Sequence, residues 1–336
     1  VGDVCDTEVI DDATQLLVPA GASYQTSDVR CFLGDVRIYG ELRVTPLDPG
    51  APVFTGALGL LATNITLFAG ATLVADGAGQ PGGLPSAGTN IGGQQGAGSS
   101  PGCGGGPGSS VGQGGNGAAY GGAGGVPTNT YVQNNLCTAC NEPPDPVHCA
   151  SAASQPTGTA TGDDFDMGSG GGAGGNSSGC SSSGGRGGHG GGMVLLLASS
   201  TITIDGLVTA SGETPPPDPS ACGYHPGGGG GSGGSVVLSA PTVVGLGTVY
   251  ALGGNGGQAL GDASSTWGWG GGGGGGGRVK VFAPDNQFGG LIRVDGGAGG
   301  ASPPDASSAP GSPGDAGSVG IDTTIPASLV YGGTCP

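Results

Sequence analysis

Positive charge is scarce in this sequence. Of 336 residues only seven are Lys or Arg, and Lys280 is the sole lysine. Phosphate binding needs a basic patch, so a nucleic-acid partner is disfavoured. An anionic membrane surface is disfavoured for the same reason. Aromatic residues make up 4% and charged residues 9% of the chain. No apolar run approaches the ~20 residues of a membrane span. The chain opens on a polar, cysteine-bearing segment without a targeting pattern, so the expectation is a mature, processed form.

Glycine is abundant instead: 84 residues, one quarter of the chain, with 26 prolines and a net charge of −17. Such composition points to disorder when apolar residues are dispersed. Here they are clustered, as in Met193-Val194-Leu195-Leu196-Leu197 and Ser235-Val236-Val237-Leu238. Dense β-forming runs bounded by glycine read as buried strands.

Nine cysteines, Cys5, Cys31, Cys103, Cys137, Cys140, Cys149, Cys180, Cys222 and Cys335, lie mostly in glycine- or proline-rich stretches. They are disulfide candidates, which implies an oxidising, extracellular compartment. The odd count leaves one remainder, either a free thiol or an intermolecular bridge.

Internal repetition carries the most information. Strand runs ending at Ala198, Ala240 and Ala283 recur at intervals of 42 and 43 residues, each followed by further short strands and a glycine-rich excursion. A partial copy begins at Gly317, and an earlier one covers Leu58–Ala75. Val279, Val281 and Ala283 share one strand face, and Arg278, Lys280 and Phe282 the other. Met193–Ala198, apolar on both faces, predicts a strand covered on both sides. The domain reading is an N-terminal cap or assembly segment over 1–50, a first strand repeat over 51–80, a Gly/Cys-rich insertion over 81–190, and three to four repeats over 191–336. Cys335 is expected to close onto the N-terminal segment.

The excursions have their own period, as in Gly253-Gly254-Asn255-Gly256-Gly257-Gln258, and Gly270–Gly277 is unbroken glycine. One reading is flexible loops. The other is polyglycine II, an extended helix of three residues per turn able to pack side by side; no strict Gly-X-Y register with proline supports collagen. The fold class expected is all-β, with β-solenoid-like or sandwich-like repeats of short strands, polyglycine II-type excursions and disulfide staples. Parallel and antiparallel pairing both remain open.

Glycine runs followed by Ser-Val-Val-Leu-Ser-Ala or Arg-Val-Lys-Val-Phe-Ala, and then Gly-Thr-Val-Tyr-Ala-Leu-Gly-Gly-Asn-Gly-Gly, resemble repeats of secreted glycine-rich surface proteins of bacteria, myxobacteria among them. The glycine tracts also resemble those of snow-flea antifreeze protein and the glycine-rich domain of anaplastic lymphoma kinase receptors. The resemblance implies polyglycine II bundles and an extracellular location. It implies no activity.

Candidate sites each carry a plainer alternative. Cys137-Thr138-Ala139-Cys140 with His148 and Cys149 has zinc-type spacing, but no second C-x-x-C follows, and a disulfide-knotted loop is the preferred reading. Asp163, Asp164 and Asp166 would supply calcium ligands but lack EF-hand spacing, so they read as a solvated acidic loop. Trp267 and Trp269 would stack on a sugar or cover a glycine layer. Asn64 and Asn176 begin glycosylation sequons; Asn64 falls in a predicted strand, which favours Asn176. His148, His189 and His225 sit in no nucleophile motif.

The sequence therefore reads as a non-enzymatic extracellular structural protein, without cofactor, that forms a homo-oligomer or homopolymer such as a fibre or surface layer. The alternative is an adhesin module binding glycans. A third reading, a β-helix enzyme acting on polysaccharide, fits poorly with seven basic residues.

Overall fold

The computed structural model describes residues 8–85, 93–102, 114–127, 153–175, 184–217, 224–261, 269–302 and 310–335. Among them the regular structure is almost all β. Among the described residues, no helix is long and apolar enough to cross a membrane.

The strands follow one another in rungs of three. After β1 (Ile10–Asp11), the first rung is β2 (Leu16–Val18), β3 (Ser23–Thr26) and β4 (Asp28–Cys31). The second is β5 (Asp35–Ile38), β6 (Glu41–Val44) and the first half of β7 (Ala57–Leu67). The third is the second half of β7, β8 (Thr72–Val74) and the first half of β9 (Met193–Ile204). The rest of β9, β10 (Leu207–Thr209) and, after the short β11 (Tyr224–His225), β12 (Ser235–Ser239) make the fourth. The fifth is β13 (Thr242–Gly245), β14 (Thr248–Tyr250) and, after β15 (Leu260–Gly261), β16 (Arg278–Phe282). The sixth is β17 (Asp285–Phe288), β18 (Leu291–Arg293) and β19 (Ser318–Asp322).

Equivalent strands of successive rungs pair in parallel, in unbroken register apart from an irregularity between Ala62 and Asn64. The middle strands form a six-stranded sheet from β3 to β18. The first and last strands of the rungs share an eleven-stranded sheet, because β7 and β9 each run through both positions. The two sheets stay separate, so the winding is not closed as a solenoid. Only β1–β2 and β11–β15 pair antiparallel among the named strands. The strands Val36–Ile38 and Glu41–Val44, assigned from sequence to an N-terminal cap or assembly segment, thus stack in the same winding as the repeats.

Register places like residues on like. Leu58, Val194, Val236 and Val279 form one ladder, and Leu60, Leu196, Leu238 and Val281 another. Ile65, Ile202 and Val243, and from the smaller sheet Leu42, Leu73, Val208 and Val249, complete a single core between the sheets. Burial of each such side chain is worth about 1.5–3 kcal/mol.

From the third rung on, the path from the middle strand to the last is a glycine-rich excursion, and these excursions pack on one another. Their hydrogen bonds have a period of three. Gly271, Gly274 and Gly277 donate to the carbonyls of Gly257, Gly254 and Ala251. Gly272 and Gly275 donate to Gly115 and Ala118, and Gly273 and Gly276 to Ser312 and Asp315. Each segment thus bonds a different neighbour on each of three sides. The packing leaves no room for side chains: a Cβ on Gly274 would lie 2.0 Å from the Gly231 oxygen, and one on Gly229 1.8 Å from that of Asn116.

Candidate functional site

The outer face of the larger sheet buries side chains that strand alternation sets opposite the core. On β16, Val279 and Val281 enter the core, so Arg278, Lys280 and Phe282 point outward. All three are buried nevertheless, Lys280 at 1% exposure. The segment from Thr157 to Met167 crosses above them. Lys280 Nζ donates to the carbonyl of Gly162 at 2.7 Å, to the Asp164 carbonyl, and to Asp164 Oδ1 at 3.2 Å. Arg278 Nη1 donates to the Thr159 carbonyl at 2.8 Å, and its guanidinium lies 5.1 Å from the centre of the Tyr120 ring. Ser235 Oγ donates to the Asp166 carbonyl at 2.7 Å, and the Asp166 amide donates to the Tyr120 hydroxyl at 2.8 Å.

Partial burial works to raise the Asp164 carboxyl, but hydrogen bonds from the Thr159 hydroxyl and amide and from Lys280, with the lysine charge, hold it down at about 2. Burial lowers the Lys280 ammonium, against the pull of Asp164. The acidic stretch therefore anchors a crossing strap, while Asp163, Asp164 and Asp166 stay exposed as a solvated loop would have them. Asp163 accepts a bond from Ser328 Oγ at 2.8 Å, and Asp166 from the Met167 amide at 2.8 Å. Among the described residues, no group of three or more His, Cys, Asp or Glu comes together as a metal site.

A second cover lies beside the strap. Leu195, Leu197, Val237 and Phe282 pack with Leu329 and Tyr331 from the C-terminal tail, and Phe165 of the strap joins them. Ser239 Oγ donates to the Leu329 carbonyl at 2.9 Å, and the Tyr331 hydroxyl to the Phe32 carbonyl at 3.3 Å. The tail carries a disulfide between Cys335 and Cys31, with Cα atoms 5.6 Å apart and a sequence separation of 304. Having left β19 in the last rung, the chain is bolted to β4 in the first. The expected cover on both faces of Met193–Ala198 is supplied by core on one side and tail on the other.

The two ends of the stack differ. At the last rung β17, β18 and β19 each pair on one side only, among the described residues. Register sets Val319 and Ile321 beside the core residues Val279 and Val281, yet they are 42% and 58% exposed. Leu291 is exposed too, but it is in register with Leu207 and Thr248 on the outer face of the smaller sheet, whereas Ile292 continues the core ladder of Val208 and Val249. At the first rung, β1 covers the edge of β2. There the positions in register with Leu58 and Leu60 carry Asp28 and Arg30. Arg30 Nη2 pairs with Asp11 Oδ1 at 2.6 Å, Arg30 Nη1 donates to Thr26 Oγ1 at 3.1 Å, and the Tyr24 hydroxyl donates to Asp11. Desolvation opposes the Arg30 charge, but the Asp11 carboxylate outweighs it and raises the guanidinium further.

Of the other candidates, Trp269 is half-buried, and its carbonyl accepts the Gly227 amide at 3.0 Å. Asn64 lies within β7, with Nδ2 donating to Asp35 Oδ1 at 3.0 Å. His225 is buried with neither ring nitrogen hydrogen-bonded. His189 is lowered by burial, against the pull of Glu213. Cys5, Cys103, Cys137, Cys140, Cys149, Cys180, Cys222, His148, Trp267 and Asn176 lie outside the described residues. The burial of Lys280 and Arg278 and the partnership of Tyr120 with Ser235 were not legible in the sequence, since strand alternation beside an apolar core face is also the pattern of a solvent face.

No protein-family model, curated protein or solved structure matches this chain. The resemblance to bacterial glycine-rich surface proteins therefore rests on the sequence phrases alone.

Proposed function

We propose that this chain is a non-enzymatic extracellular structural protein whose stack joins other copies through its ends to build a fibre or surface layer. The observation that carries the reading is the set of strand edges unpaired among the described residues, β3 and β4 at one end and β17, β18 and β19 at the other. Unpaired edges are templates for further strands. Within this reading the rungs are solenoid-like, and the glycine array is a polyglycine II bundle, supported by its three-residue hydrogen-bond period. The Cys31–Cys335 bridge supports an oxidising, secreted setting. The resemblance to bacterial surface proteins supports the same location.

A glycan-binding adhesin is the second reading, favoured by the half-exposed Trp269. Negative-stain electron microscopy of the native material, with and without reductant, separates the two. The structural reading expects uniform fibres or sheets that loosen on reduction. Dispersed monomers under every condition, with glycan binding, would overturn it.

A further inference from the structure

The open end of the stack is built to meet a copy of itself. In a winding of repeated rungs, a terminal rung is normally atypical and presents a polar outer face. The first rung does so at its core positions: β1 runs across the edge of β2, and the Asp11–Arg30–Tyr24 network occupies the end of the core, while the exposed Val29 is in register with Leu195 on the outer face. The last rung does not. Its β19 continues the core ladders with Val319 and Ile321, which no further strand covers among the described residues. The chain then leaves the winding and runs onto the outer face as the tail.

Head-to-tail docking of two copies would set the first rung of one on the last rung of the other. Carried through the register, Asp28 would fall on Val319 and Arg30 on Ile321. Asp28 and the already partnered Arg30 would then cover apolar residues, which strips solvent from charge without a new partner. The alternative is a two-fold contact in which the same surface patch serves both copies. Val319 and Ile321 then meet the apolar end of the partner copy, and the unpaired edges meet antiparallel, a geometry that β-strands accept.

We infer that the β17–β18–β19 end is an isologous interface, and that the unit of assembly is a two-fold dimer joined there. The area suits it. The run Arg278–Phe288 extends about 35 Å at ~3.3 Å per residue, and two sheets ~10 Å apart with their side chains make an end face about 20 Å deep. That is about 700 Å² per copy, close to the ~800 Å² per partner of stable interfaces. The inference rests on the self-assembly reading and sharpens it: a fibre grows from dimers, with the polar first-rung ends making the second, weaker contact.

The test is light scattering after gel filtration of the full oxidised chain, beside the double variant V319E/I321E and the first-rung variant Q25P. Both altered sites are partly or fully exposed, and circular dichroism together with mapping of the Cys31–Cys335 bridge verifies that the variants fold. The wild type and Q25P should run at twice the 31.3 kDa chain mass. V319E/I321E should run at the single mass, with at least a tenfold loss in association. Fibres that persist unchanged in V319E/I321E would overturn the two-fold interface while leaving self-assembly standing. A wild type that is monomeric at every concentration and forms no fibres would overturn both.

Discussion

The strand stack and the glycine array exclude water by opposite means. In the stack, ladders such as Leu60–Leu196–Leu238–Val281 fill the space between two sheets, and backbone pairing follows from their register. In the array the absence of side chains lets backbones approach until each segment bonds neighbours on three sides. The stack is stabilised by what its residues add, and the array by what its residues lack. The same chain pathway serves both, since each excursion leaves a strand of the smaller sheet and returns to a strand of the larger one. Ordering glycine carries a high entropic cost. The array meets it with hydrogen bonds rather than apolar area, and the neighbouring stack fixes where each segment begins and ends.

The contrast yields graded expectations. The largest concerns the covalent tie on the stack side. Replacing Cys31 and Cys335 together by serine removes a cross-link of sequence separation 304, and the chain-entropy account sets the loss at up to about 6 kcal/mol, read by urea unfolding. Next, Leu196→Ala empties a fully buried core position and should lower stability by about 4 kcal/mol. In the array, Gly274→Ala adds a single methyl group where the Gly231 oxygen stands, and should cost about 3 kcal/mol, with faster hydrogen exchange in the three neighbouring segments. A loss below ~0.5 kcal/mol would remove the steric basis of the array. Under the strap, Asp164→Ala leaves Lys280 buried with carbonyl partners only. Because that carboxylate is 43% exposed, its removal should cost about 2 kcal/mol, less than for a fully buried pair, while Lys280→Met should be nearly neutral.

The smallest effect is one of pH. The Asp164 carboxyl is depressed from 3.8 to about 2 in the fold. Its contribution is therefore complete above the unfolded value and is lost only as pH falls toward the folded one. Hydrogen exchange of residues 159–166, corrected for intrinsic rates, should be flat from pH 7 to pH 4 and rise below that. A rise centred near neutrality would assign the strap to another group.

Much of the stack was legible before its structure. Clustered valines and leucines between glycines marked the strands, and spacing of Ala198, Ala240 and Ala283 marked the rungs. Pairing direction was not legible, because short apolar runs satisfy parallel and antiparallel ladders alike. The early rungs were missed because β2 to β6 carry no glycine excursion, which was the visible mark of the later repeats. The three-residue glycine period was legible as a possibility, whereas the identity of the neighbours was not, since glycine carries no side chain by which one segment is told from another. The sequence sets Lys280 on the strand face opposite Val279 and Val281, and Asp164 in a solvated acidic loop. They meet across 116 residues of sequence, and only the path of the strap unites them.

The most direct test of the account is amide hydrogen exchange across Gly271–Gly277 in the oxidised protein. These amides all donate to neighbouring segments, so their protection should match that of Ser235–Ser239 in the adjoining stack. Exchange at the rate of an unstructured glycine peptide, while the strands stay protected, would contradict it and make the glycine segments loops between strands.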